Sequence, residues 1–350
     1  LKTKPTQHSV KTLMESGINA DILVCRTEHK LSEHLKQKLA LFCNVNKDSV
    51  IESLDASTIY DVPNLMLEQR LDEITLKKLG IYKWNDSDLE SWNDFLRKHK
   101  NASDVLMIGL VSKYVELQDS YKSILESFIH AGAMNDVNVE VVSIHSEFIA
   151  DKKERRKVED LDGILVAPGF GERGIKGKIA AVKYARENKV PFFGICLGLQ
   201  MAVIEYCRNV KGLKKANSTE MNSRTPEPVI DLMKEQKNLK EKGGTMRLGA
   251  WKCKLKARSR IAGIYQETVI SERHRHRFEF NNKYLDQLED DNMICSGKNP
   301  KTGLVEAIEL KDHPWFIGVQ YHPEYKSTVA SPHPLFVSFV QAAKELASKR

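Results

Sequence analysis

The chain has 350 residues, 41% of them hydrophobic, and a net charge of +7 at neutral pH. That length allows two or three domains with substantial cores, and no apolar run approaches the ~20 residues that a membrane-spanning helix needs. Six cysteines are scattered without any CxxC pair, which argues against a disulfide framework or a zinc site. Basic residues alternate with acidic ones and few aromatics, which argues against nucleic-acid binding. We therefore expect a soluble, cytoplasmic protein with no metal, membrane or nucleic-acid partner.

The first 84 residues predict a short α/β region. Asp21–Cys25 has the composition of a strand, and residues 31–43 have that of a helix. A polar stretch follows, and we interpret residues 85–103 as a linker. The chain begins without Met, at what resembles the middle of a domain, so we expect a fragment of a longer protein.

From Asp104 onward, apolar strands alternate with amphipathic helices, which predicts βαβ units around a mostly parallel sheet. Two later segments, 303–309 and 315–321, are more typical of antiparallel strands. A last helix near 334–348 should close the domain. The predicted parallel strands lie at 105–111, 137–144, 163–167 and 190–195, with helices near 119–133 and 176–189.

Cys196 lies where the apolar run 190–195 gives way to a helical pattern over 199–206. Gly194 and Gly198 flank it, and glycines let a sharp turn adopt strained angles and let a substrate approach. The N-terminus of the following helix favours a thiolate. The pattern predicts a nucleophilic cysteine, and the alternative is a small buried residue in a glycine-rich turn.

A glycine-rich segment, Gly169–Gly174, matches G-x-G-x-x-G, the pattern of dinucleotide-binding loops. Its strand is not the first of its unit, and no acidic residue occupies the ribose position. The overlapping segment Gly171–Lys178 resembles a phosphate loop, but five residues separate its glycines and no Ser or Thr follows the lysine. We interpret these glycines instead as bringing backbone N–H groups to a reacting carbonyl, as part of an oxyanion hole.

A thiol nucleophile needs a base, and His322-Pro323-Glu324 supplies the candidate. Residues two apart in an extended segment face the same way, and Pro323 biases His322 toward extended geometry. Glu324 would then fix the imidazole while His322 moves the proton. The alternative is an ordinary pair of surface side chains.

A dense basic cluster occupies Glu272–Arg277. One of its arginines would suit a carboxylate, which a guanidinium binds through two hydrogen bonds. The alternatives are a solvated loop and a phosphate-binding patch.

Together, Gly194–Gln200, the His322–Glu324 pair and the Gly169–Gly171 loop resemble the class I glutamine amidotransferases. Further segments, in matching order, are similar to the CTP synthase family: Lys2–Ser9, Ala40–Val45, Ala216–Glu220, Gly243–Gly249, Glu272–Arg277 and His333–Phe336. The resemblance implies an α/β fold whose mostly parallel, flavodoxin-like sheet is flanked by helices. It also implies that residues 1–84 are the remnant of a P-loop-type synthetase domain and that residues 104–350 form the amidotransferase domain.

The resemblance assigns chemistry to individual residues. Cys196 would attack the side-chain amide of glutamine, His322 would shuttle protons, and Glu324 would orient His322. Backbone N–H groups of Gly169 and Leu197 would hold the oxyanion. The implied glutamine pocket also includes Gly198, Leu199, Gln200, Glu220 and Arg277. In the family, the released ammonia displaces phosphate from UTP that ATP has phosphorylated on O4, which gives CTP.

The resemblance also implies nucleotide contacts near the start of the chain. The UTP/CTP contacts would be Lys2, Thr3, Lys4, Pro5, Thr6, Gln7 and Lys38. Leu54, Asp55 and Ala56 would border ATP. The phosphate loop and magnesium-binding acids of the family precede such a segment, so we expect no cofactor in this chain and at most glutaminase activity. ATP, magnesium, a GTP activator at an unassigned site and a homotetramer are implied for the full-length enzyme.

Three other functions stay open at this point. The chain could be a nucleotide-binding or assembly fragment without catalysis. It could also be another class I amidotransferase, such as GMP synthetase, although no synthetase domain follows residue 350. A hydrolase of γ-glutamyl compounds would leave the first 50 residues unexplained.

Overall fold

The computed structural model describes residues 2–113, 118–147, 158–232 and 246–350. The chain divides into two compact units, residues 1–96 and residues 97–350. Within the described residues, no helix is both long and apolar enough to cross a bilayer.

The first unit is a small α/β body built on two parallel strands. Its core consists of Val10, Leu23, Leu39, Ala40, Cys43 and Val50. Ser32 caps the second helix by accepting a hydrogen bond from the Leu35 N–H, and Asn44 ends it in the left-handed conformation. The elements are α1 (Lys4–Glu15), β1 (Leu23–Thr27), α2 (Glu33–Cys43), β2 (Val50–Leu54), α3 (Val62–Glu68), α4 (Leu71–Lys78) and α5 (Glu90–Asn101), which spans the boundary.

The predicted linker, residues 85–103, contains the helix α5. The Trp92 indole donates a 2.8 Å hydrogen bond to the Tyr60 carbonyl, and the Phe95 ring packs edge-on against Tyr60. The polar composition of residues 85–103 led to the linker prediction, because only one narrow face of this helix is apolar.

The second unit is built on a nine-stranded mixed sheet in the order β10-β9-β12-β13-β14-β6-β5-β3-β4. The strands from β14 to β4 are parallel, and those from β10 to β14 pair antiparallel. This confirms the predicted α/β class, including the antiparallel character of the later segments. The strands are β3 (Asp104–Ser112), β4 (Val137–His145), β5 (Gly163–Val166), β6 (Phe192–Ile195), β7 (Ala216–Ser218), β8 (Glu227–Leu232), β9 (Arg247–Leu255), β10 (Val269–His276), β11 (Phe278–Phe280), β12 (Met293–Lys298), β13 (Val305–Leu310) and β14 (Phe316–Val319).

Helices cover both faces of this sheet, and each face has its own core. Ala181 and Val203, from two helices, belong to one core, whereas Phe128 and Phe339, from two others, belong to the second. Strands β7, β8 and β11 form a separate three-stranded sheet. The helices are α6 (Lys122–Met134), α7 (Ile175–Asn188), α8 (Leu197–Asn209), α9 (Arg260–Tyr265), α10 (Leu285–Leu288) and α11 (Pro334–Ala347).

Three adjacent parallel strands end at one edge of the sheet. Strand β6 lies between β5 and β14, with Gly194 in register with both Val166 and Gly318. Open α/β sheets bind ligands at the carboxyl ends of such strands. The segments that follow these strands carry Gly169, Cys196 and His322.

Candidate active site

The turn at Cys196 is the predicted sharp elbow. Cys196 has φ 53° and ψ −99°, a conformation that costs a non-glycine residue about 1–3 kcal/mol. Its N–H donates a 2.7 Å hydrogen bond to the Val319 carbonyl of the neighbouring strand. A methyl group on Gly198 would lie 2.3 Å from the Val166 carbonyl oxygen, and one on Gly194 would lie 2.8 Å from Gly198. The helix therefore approaches the sheet closely enough to require both glycines.

His322 and Glu324 form a buried pair, so the surface-pair alternative is wrong. The His322 Nδ1 and Glu324 Oε1 atoms are 2.7 Å apart, and the residues are only 4% and 5% exposed. The backbone N–H of His322 donates a hydrogen bond to the Arg273 carbonyl, and the Tyr325 ring stacks on the His322 imidazole. Glu324 thus occupies Nδ1 and leaves Nε2 for proton transfer.

The electrostatics connect this pair to Cys196. Burial alone would lower the pKa of His322, but the adjacent Cys196 sulfur and Glu324 outweigh burial and raise that pKa. A protonated imidazole beside sulfur is the setting in which cysteine nucleophiles act as thiolates. Elsewhere, burial raises the pKa of Cys207 and of Cys295 to about 12.

Two glutamine side chains line up behind the sulfur. The Gln320 Nε2 lies 3.6 Å from the Cys196 Sγ, and Gln200 Nε2 donates to Gln320 Oε1 at 3.2 Å and to the Phe278 carbonyl at 2.9 Å. Gln200 Oε1 is buried and has no hydrogen-bond partner among the described residues. It is therefore a buried acceptor whose hydrogen-bonding capacity is not used within the described residues. Gln320 was not among the predicted site residues, although its position directly after β14 could have indicated it.

A cavity of about 410 Å³ opens beside Cys196. It joins three of the predicted site residues, Gly169, Cys196 and His322. Its other lining residues are Ser120, Tyr121, Pro168, Phe170, Arg275 and Tyr325. The cavity lies at the predicted edge of the sheet and is large enough for a small polar substrate.

The basic cluster is a strand rather than a solvated loop, because residues of β10 are alternately exposed and buried. Arg275 lines the cavity, although it was not among the predicted site residues. The predicted Arg277 is half-buried and follows β10 directly. His274 and His276 face inward, with His274 Nδ1 2.8 Å from His276 Nε2. Burial lowers the pKa of His276 to about 3. Both imidazoles are therefore neutral parts of the wall behind the site.

The loop carrying Gly169 is held by several side chains. Glu220 Oε1 accepts a 2.7 Å hydrogen bond from the Gly171 N–H. The Lys113 ammonium donates to the carbonyls of Phe170 and Gly171. Across the described parts of the chain, the Gly169 N–H makes no hydrogen bond, which suits a donor to an oxyanion. The Leu197 to Leu199 segment forms the buried first turn of α8.

The predicted nucleotide residues all lie in the first unit. Lys2 to Gln7 contain the N-terminus of α1, where Gln7 Nε2 donates to Thr3 Oγ1 at 3.0 Å. Lys38 is exposed on α2. Leu54 ends β2, and Asp55 and Ala56 follow it, with Asp55 Oδ1 3.5 Å from Arg26 Nε. These nucleotide contacts stay a prediction. Residues 243–245 of the Gly243–Gly249 motif lie outside the described residues.

Comparisons with known proteins agree on one family. The model of "Glutamine amidotransferase class-I" matches residues 116–342, and that of "CTP synthase N-terminus" matches residues 1–81. A CTP synthase of Christiangramia forsetii is 67% identical over the whole chain, and one of Flavobacterium johnsoniae is 66% identical over 98% of it. The chain spans about 64% of the length of both relatives.

A solved structure supports the same relationship. The glutaminase domain of Trypanosoma brucei CTPS with bound acivicin is 36% identical and superposes with a TM-score of 0.65. The match covers 69% of this chain and 94% of that domain. The chain therefore belongs to the class I glutamine amidotransferases and, within them, to the CTP synthase family.

Proposed function

We propose that this chain hydrolyses glutamine to glutamate and ammonia, with Cys196 as the nucleophile. The observation that carries this proposal is the strained Cys196 turn beside the buried His322–Glu324 pair. Sulfur attacks the amide carbon, and the resulting oxyanion accepts hydrogen bonds from the Gly169 and Leu197 N–H groups. His322 gives its proton to the departing nitrogen, which leaves as ammonia. The γ-glutamyl group remains on Cys196 as a thioester. Water, deprotonated by His322, then hydrolyses the thioester to glutamate and free thiol.

Four side chains are assigned to substrate recognition: Arg275 is part of the cavity lining, whereas Gln200, Glu220 and Arg277 are outside that lining. Gln200 Oε1 and the Glu220 carboxylate are acceptors for the α-ammonium group of glutamine, and Arg277 is a donor to its α-carboxylate. Arg275 lines the cavity and is a second cation for that carboxylate. Recognition of a zwitterionic amino acid needs both kinds of group.

Glutamate release by the purified chain tests this function. Cys196→Ala should abolish it, while the matched control Cys207→Ala should retain it, because Cys207 is buried near the other end of the helix that Cys196 precedes and does not line the cavity. Release that survives Cys196→Ala contradicts the assigned nucleophile. A wild-type chain that is inert with and without GTP, and also when joined to an upstream synthetase domain, contradicts the proposal itself.

We further propose that the ammonia aminates UTP in the complete enzyme. The support is the family match over residues 1–81 and the identity to proteins named CTP synthase. Joined to the upstream part of a relative, the chain should make CTP from glutamine, and Cys196→Ala should leave synthesis from added ammonia intact. Loss of both activities in that variant would contradict the division of labour.

A further inference from the structure

Lys178 is a fully buried lysine on α7. In the described parts of the chain, no carboxylate forms an ion pair with it. Burying an ammonium group costs several kcal/mol, and a well-packed apolar side chain usually fills such a place at least as stably. Fold stability therefore does not explain a lysine here.

The Lys178 ammonium group contacts the backbone that leads into the Gly169 loop. Its Nζ donates a 2.6 Å hydrogen bond to the Ala167 carbonyl, while the Ala167 N–H donates to the Val111 carbonyl at 3.1 Å. Both polar groups of Ala167 are thus fixed. The next residue, Pro168, has a fixed φ and no N–H, so the ψ angle of Pro168 is the main torsion left between the fixed Ala167 and the Gly169 N–H.

The same ammonium group lies close to the reacting centre. A methyl group on Gly169 would lie 3.9 Å from Lys178 Nζ. Burial and the positive charge of Lys113 lower the pKa of Lys178, Cys196 raises it, and the net result is a pKa of about 7. The two groups whose charge changes the pKa of Lys178 are thus Lys113, just after β3, and Cys196, just after β6. Positive charge at Nζ favours negative charge on Cys196 and on the oxyanion next to it.

We propose that Lys178 is a positioning residue for glutamine hydrolysis. Its buried Nζ holds the Ala167 carbonyl, aims the Gly169 N–H at the oxyanion formed on the Cys196 adduct, and places a positive charge beneath that adduct. This inference rests on the proposed glutaminase function. Lys178 itself does not touch the substrate.

A kinetic comparison of two variants tests the proposal. Lys178→Met should lower kcat for glutamine about tenfold, the lower range for residues that act through another group, with KM changed less than twofold. Its thermal midpoint should equal or exceed that of the wild type, because a buried charge is removed. The matched control Lys176→Met, at an exposed position on the same helix, should keep wild-type kcat. A kcat of Lys178→Met equal to that of the control, or a loss of kcat that merely follows a lowered midpoint, overturns the proposal.

A second measurement does not depend on glutamine turnover. In protein with ¹³C-labelled lysine side chains, the Lys178 signal is the one that Lys178→Met lacks. It should titrate near neutral pH, and at lower pH in Cys196→Ala, because Cys196 supports its charge. An identical titration in both proteins overturns the proposal. A wild type that releases no glutamate rejects the proposed function, while this titration still decides whether Lys178 and Cys196 are coupled.

Discussion

The carboxyl edge of the central sheet and the surface of the first unit differ in how they hold their predicted residues. At the sheet edge, Cys196, His322 and Glu324 are buried and fixed by hydrogen bonds to named partners. In the first unit, Lys2, which precedes α1, and Lys38, on α2, are exposed. A set of buried residues with one mutual geometry can be assessed as a catalytic device, whereas exposed lysines are compatible with many ligands. Matched substitutions in the two regions test this difference.

The largest effect is expected at His322. His322→Asn removes the group that moves protons, and kcat for glutamine should fall about 10⁶-fold, as for the base of a comparable triad. The same substitution at His29, which is exposed in the first unit, should leave kcat unchanged. Steady-state glutamate release measures both. A comparable loss in both variants would mean that the sheet edge is not the reacting centre.

Glu324→Gln should have the next largest effect. The amide keeps a hydrogen-bonding group near His322 Nδ1 but removes the negative charge that raises the pKa of His322. We expect kcat to fall about 10⁴-fold, as when a triad carboxylate becomes an amide. Glu33→Gln, an exposed position on α2, is the matched control. A loss below about tenfold would show that Glu324 only packs against the imidazole.

These two predictions concern residues that the sequence identified, and the reason is local. Gly194 to Gly198 and His322 to Glu324 are short segments. The spacing within each one therefore restricts where its side chains can lie relative to each other. Gln320, Arg275 and Lys178 were missed because their roles depend on the order of strands and on which face of a strand or helix is buried. The helix in residues 85–103 was missed because its apolar contacts are with Tyr60, which is distant in sequence.

A glycine substitution tests the elbow itself. Gly198→Ala places a methyl group 2.3 Å from the Val166 carbonyl oxygen, so α8 must shift and move Cys196. Overpacking of this kind costs about 1–3 kcal/mol, and we expect glutaminase activity to be lost with it. Gly263→Ala, also within a helix but with open space around it, should instead stabilise the protein by about 0.5–1 kcal/mol. Urea unfolding and glutamate release distinguish the two. An active, fully stable Gly198→Ala would show that the close approach is not required.

The effect expected to involve catalysis least is a pH dependence of stability from the buried histidines of the second unit. Burial lowers the pKa values of His274, His276 and His313, to about 3 for His276 and about 4 for His313. Below the ordinary histidine pKa of about 6.5 the unfolded chain binds protons that the folded chain refuses, so each histidine lowers the free energy of unfolding by about 1.4 kcal/mol per pH unit. The pKa of His322 is raised instead, so its contribution is complete below that pH and adds no slope there.

Urea unfolding between pH 6.5 and 5 measures this slope, and His313→Gln isolates one contribution. Gln can still donate to the Ala185 carbonyl, which lies 3.0 Å from His313 Nε2, but it cannot take up a proton. The slope should therefore decrease by about 1.4 kcal/mol per pH unit in that variant. An unchanged slope would mean that His313 is protonated equally in both states and that its burial does not exclude the charged form.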